Sequence, residues 1–138
     1  MKVEFLTLCD FAQAEPTGKM NLLGTFDRIL AREAPISRSV FAVAARLRFD
    51  AHEEGTRTLA LSFIDSDGQR VIPLLRAQLG VKVAPNEPTA TVNYVMVIPQ
   101  IKLARFGDYQ VDLAVDDKIE ASVPLYVRQR AAPPAPSA

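Results

Sequence analysis

Asp65-Ser66-Asp67-Gly68 has the opening of a calcium loop, because carboxylates at that spacing before a glycine can turn their oxygens onto one hard cation. Arg70, Val71, Ile72 and Pro73 follow where further oxygen ligands are needed, so the segment fits a tight turn with Gly68 at positive φ. A second acidic group runs from Asp108 to Glu120 and offers Asp112, Asp116 and Asp117 as cation ligands. The competing reading is a solvated edge that discourages strand addition. Cys9 and His52 are the lone thiol and the lone imidazole, formally a nucleophile–base pair but too few for a zinc site. Cys9 shares the parity of Val3, Phe5 and Thr7, which assigns it to the core as a small hydrophobe. Asp10 and Asp27 each close an apolar run. They make a paired-carboxylate site only if the fold joins them, and turn hydrogen bonds or ion pairs with Arg28 or Arg32 are the commoner use. Neither a glycine-rich phosphate loop nor a nucleophile elbow is present in the sequence.

The elements that must position these groups have a period of two. Phe41, Val43, Ala45, Leu47 and Phe49 alternate with Ala44, Arg46 and Arg48. Leu59–Phe63, Val71–Val83, Ala90–Ile98, Tyr109–Val115 and Ile119–Val127 read as strands, as do the first run and Met20–Ile29. Turn chemistry falls between them at Thr17-Gly18-Lys19, Asp65–Gly68 and Asp116-Asp117. Pro124 lacks an amide hydrogen, which places it on an edge or pointing off the ladder. One helical turn fits Asp50–Thr56, with Asp50 as cap and Glu53 three residues on. About eight closely spaced strands without crossover helices predict an all-β fold: an antiparallel, immunoglobulin-like β-sandwich, with a closed barrel as the alternative.

Size and charge narrow the function. The chain has 138 residues, 49% hydrophobic and 23% charged, which suits one domain over residues 1–130. Residues 131–138, Ala-Ala-Pro-Pro-Ala-Pro-Ser-Ala, read as a disordered tail. Sixteen basic residues balance sixteen acidic ones, so the footprint of a nucleic-acid binder is absent. Arg46, Arg48 and Arg76 make at most a small basic face without exposed aromatics between them. A lone cysteine, no signal-peptide pattern and no long apolar run point to the cytoplasm and away from a membrane. Nothing implies a cofactor or a catalytic set, and the chain reads as a non-enzyme.

Two segments carry a further pattern: Leu8-Cys9-Asp10-Phe11-Ala12, and Gly18-Lys19 through Gly24-Thr25-Phe26-Asp27-Arg28-Ile29. Together they resemble a bacterial family of small uncharacterised domains that open with an LCD-x-A strand and a GK-x4-G-x-FD strand. Asp65-Ser66-Asp67-Gly68 and Gly107-Asp108-Tyr109 are similar to that family's D-x-DG hairpin and G-x-Y strand start. The resemblance extends to Val127. It implies a β-sandwich and supplies no functional residue.

Val95 and Val97 oppose the parity of Tyr94, Met96 and Ile98, and are therefore the candidate interface. Leu6, Leu8, Ile72 and Leu74 share that nominal outer placement. The leading expectation is a non-enzymatic interaction or structural module that binds a protein partner or itself, as a homodimer. The rival is a small-ligand or divalent-cation-binding sandwich that uses the acidic loops.

Overall fold

The computed structural model describes residues 1–131, so all but the first residue of the proposed tail lies outside the described part. Nine strands appear among the described residues: β1 Lys2–Ala14, β2 Met20–Phe26, β3 Arg28–Ala31, β4 Ile36–Asp50, β5 Gly55–Ile64, β6 Leu75–Val81, β7 Thr89–Leu103, β8 Gly107–Val115 and β9 Lys118–Gln129. They form two sheets, β2-β1-β4-β7 and β3-β9-β8-β5-β6. All pairings are antiparallel except β3 with β9. The architecture is an all-β sandwich, not a closed barrel.

Its connectivity is immunoglobulin-like. β4 pairs with β7 in one sheet and β5–β8–β9 lie together in the other, which are the places of strands B, E, C, F and G. Tyr109, at the start of β8, adds a second mark of that fold. Its hydroxyl donates to the Arg105 carbonyl at 2.6 Å, the tyrosine corner that ties a strand to the turn before it. The core lies between the sheets, where Phe41, Phe49, Phe63, Leu47, Leu113 and Leu125 are almost wholly buried.

Local chemistry accounts for the turns. Asp65 Oδ1 accepts the amides of Asp67 and Gln69, both at 2.9 Å, and Gly68 has φ 79°. Asp116 and Asp117 take φ 49° and 68°, the left-handed pair that a two-residue hairpin requires. A single 3-10 turn, Ala51–Glu53, follows β4, and Glu53 accepts the Asp50 amide at 3.0 Å.

Three expectations change. There is one strand more than expected, because Met20–Ile29 divides: β2 stays with β1, while β3 crosses to the other sheet. The run Val71–Val83 shortens to Leu75–Val81, and Ile72 packs against the core instead of facing out. Pro124 keeps the edge position expected of it, since at that point β9 pairs with β8 alone and β3 joins only from Tyr126 onward. The third change is parity on β1. The register with β4 shifts between Val3 and Phe5, so a bulge turns every later residue over. Leu6 and Leu8 therefore enter the main core, and Cys9 faces the outside of the sheet.

Candidate functional site

The outer face of the β2-β1-β4-β7 sheet is where chain and fold produce something unusual. On a sheet face that meets water, polar side chains are the rule. Here Cys9, Ala42 and Ala44 are buried on that face, with Val95 half-buried beside them. The cover is the far half of the β1–β2 hairpin. Ala12, Met20 and Leu22 pack onto Cys9, Ala42 and Ala44. The hairpin tip reaches across β4 to β7, where the Gly18 carbonyl accepts from Asn93 Nδ2 at 2.9 Å and from Arg46 Nη1 at 3.3 Å. The residues beneath the hairpin are small, which lets a third layer sit close.

The bend that makes this cover lies at Asp10 and Gly24. Cys9 pairs with Thr25 and Phe11 with Leu23, so Gly24 stands opposite Asp10. Gly24 has φ 67°, and any Cβ there would overlap the Asp10 carboxylate. Arg38 holds that carboxylate at 2.5 Å, and its guanidinium lies 4.9 Å from the centre of the Phe26 ring. The carboxyl partner is thus Arg38, not Arg28 or Arg32. Asp27 is not drawn to Asp10. It borders a shallow groove with Thr7, Thr25 and Phe26, and its carbonyl accepts the Tyr126 amide at 2.8 Å.

Beyond the folded hairpin the sheet face reopens as an apolar hollow of about 170 Å³. Asp10, Phe11, Ala12, Val40, Phe41, Ala42 and Val97 line it. Phe11 is 54% exposed, Val40 62% and Val97 59%. Leu23, across the ladder from Phe11, is 68% exposed and extends the same patch over the hairpin. Of the expected interface pair, Val97 is open and Val95 is half-covered. The hairpin that covers Val95 was silent in the sequence, and so were Phe11, Leu23 and Val40 as its companions. A small-residue triad at alternate positions of neighbouring strands was the signal that could have found them.

The remaining candidates serve local structure. Asp112 is 7% exposed and accepts from Gln110 Nε2 at 2.6 Å and Ser122 Oγ at 2.5 Å. Asp116 accepts the Thr58 amide and Arg57 Nη1, each at 3.0 Å, while Asp117 stands exposed at the hairpin tip. These three do not converge on a common point. The one grouping with metal-ligand spacing among the described residues is Asp50, His52 and Glu53, and Glu53 there already accepts the terminal ammonium at 2.8 Å. His52 lies at the far end of β4 from Cys9, so no thiol–imidazole pair forms. Burial pushes the Cys9 thiol up, with the Asp10 charge adding to it, which is opposite to what an activated thiol needs. Arg46 and Arg48 share the single carboxylate of Glu4 on one sheet while Arg76 lies on the other, so the three do not form the expected basic face.

Three carboxyls sit below their ordinary range. The Arg48 and Arg46 guanidinium groups hold Glu4 down. The terminal ammonium and the Asp50 amide hold Glu53, and the Thr58 amide and Arg57 hold Asp116. A carboxyl depressed in the folded state contributes stability that is complete above its unfolded pKa and is lost as pH falls through the folded value. The urea midpoint should therefore stay level from about pH 7 to about pH 5 and fall below about pH 4. Asp116→Asn keeps the turn, because asparagine tolerates the left-handed backbone, and should flatten that fall. An unchanged acid slope in this variant would remove Asp116 from the account.

Comparison with known proteins adds the family and a distant structural likeness. No curated protein matches the chain. A crystal structure of an immunoglobulin-like protein from Pseudomonas aeruginosa is similar at 16% identity, covering 92% of this chain and 95% of that one, with a TM-score of 0.41. The model of a family of unknown function, DUF6941, matches residues 4–128, a span that holds the LCD-x-A strand, the bend at Gly24 and the tyrosine corner. The chain belongs to that family.

Proposed function

We propose that the chain is a non-enzymatic protein-interaction module of the bacterial cytoplasm, and that it docks through the patch formed by Phe11, Leu23, Val40 and Val97. The observation that carries this reading is the grouping of Phe11, Val40 and Val97, each more than half exposed, around one apolar hollow, with the equally exposed Leu23 across the ladder from Phe11. Together they present roughly 400 Å² of apolar surface, the size at which the largest patch of a monomer is often functional. Leu30 and Ile119, the other exposed large apolar residues, lie on the opposite sheet. Among the described residues no charged pair bridges the hollow, and the Asp10–Arg38 pair stands at its rim. A hollow without convergent polar groups suits a side chain better than a reacting small molecule.

The test is a photo-crosslinking amino acid placed at position 97 and, separately, at position 119, in the producing cell. Polypeptide adducts should form at 97 and not at 119. Equal yields at both positions, or none at 97, would overturn the reading.

A further inference from the structure

The patch contains both halves of a self-complementary contact. Leu23 projects from the top of the folded hairpin, and beside it, at its cross-strand partner Phe11, the hollow opens between hairpin and sheet. A hollow of about 170 Å³ is larger than the ~150 Å³ apolar cavity known to take a benzene ring, so it has room for a leucine side chain. Building on the docking reading above, we infer that the occupant is a second copy of this chain: Leu23 of each copy fills the hollow lined by Phe11, Val40 and Val97 of the other, about a two-fold axis.

The knob and the hollow are adjacent on one surface, which a two-fold contact requires, because the same patch must meet itself with each residue contacting its reciprocal partner. Area agrees. Two patches of roughly 400 Å² bring about 800 Å² of apolar surface together, close to the ~65% apolar share of a contact of about 1,200 Å² at the lower limit of stable interfaces. Charge agrees as well. The formal net charge is zero, so no long-range repulsion opposes the encounter, and the rim carries the neutralised Asp10–Arg38 pair. The folded hairpin is what builds this surface. It lifts Leu23 above the sheet and forms one wall of the hollow, so the bend at Asp10 and Gly24 is part of the interface design.

Sedimentation of the full chain over a concentration series should show a monomer–dimer equilibrium in the micromolar range. Leu23→Lys should weaken it at least about thirtyfold, as removal of a central apolar anchor does, and Val97→Glu should do the same from the other half. Leu30→Lys on the opposite sheet should leave it unchanged. Mixing Leu23→Cys with Val97→Cys under oxidation should give a disulfide-linked pair, whereas neither variant alone links to itself. Circular dichroism establishes that each variant is folded. A chain that stays monomeric up to about 500 µM overturns the second copy. So does a self-linked Leu23→Cys dimer, which would place Leu23 against Leu23. The two readings separate in the crosslinking experiment: adducts at 97 with the mass of two chains support both. Adducts of any other mass retain the docking patch and exclude the second copy.

Discussion

Phe41→Ala should destabilise the fold by about 4 kcal/mol and lower the thermal midpoint by roughly 10–15 °C. Phe41 is 1% exposed and stands edge-on to two further rings, Phe26 and Phe63, with centroids 6.0 Å away in both cases. Phe26 closes β2, and Phe63 belongs to β5 in the other sheet. One ring therefore joins the sheet edge, the central strand β4 and the opposite sheet. Truncation removes the transfer free energy of the ring and leaves a cavity, and the walls are rigid because β4 is paired on both sides. Calorimetry checks the value. A loss below about 1 kcal/mol would mean that the three rings do not pack as a unit.

Gly24→Val should cost about 2–3 kcal/mol, and the effect should be concentrated in the hairpin. A β-branched residue at φ 67° meets backbone strain of order 1–2 kcal/mol. Its Cβ also displaces the Asp10 carboxylate, which then loses Arg38. Cys9 provides the readout. The thiol is wholly buried beneath the hairpin, so a thiol reagent reaches it only when the hairpin lifts or the domain unfolds. Each 1.4 kcal/mol is a factor of ten, so labelling should speed up about 30- to 100-fold. If the global midpoint falls while labelling keeps its wild-type rate under native conditions, Gly24 is not the residue that holds the cover down.

Strands that bury one face were legible residue by residue. Phe41 to Phe49 alternate with Arg46 and Arg48 because one side of β4 meets the core and its far end meets water, and that contrast is written in adjacent residues. The turns at Asp65–Gly68 and Asp116-Asp117 were legible for the same reason: their hydrogen bonds and left-handed backbones are satisfied within a few residues. Tyr109 was visible as a strand start, though not as the corner it forms with Arg105.

The face of β1 was not legible. The bulge between Val3 and Phe5 leaves no trace in a run whose two parities are both apolar, so Leu6, Leu8 and Cys9 exchanged places without any local signal. The hairpin raised the same difficulty. Ala12 and Leu22 on one side, and Phe11 and Leu23 on the other, are equally apolar, and periodicity cannot choose between them. The choice depends on contacts between residues far apart in the chain. Gly18 meets Arg46 and Asn93, and Asp10 meets Arg38, only after β4 and β7 have paired. By itself the sequence determined an antiparallel all-β fold, since alternation and turns are local, while the choice of two sheets over a closed barrel rested on long-range strand pairing. Only the tertiary structure decided that the first hairpin folds back as a third layer and gathers Phe11, Leu23, Val40 and Val97 into one surface, because that arrangement is selected by long-range packing around three small side chains, Cys9, Ala42 and Ala44.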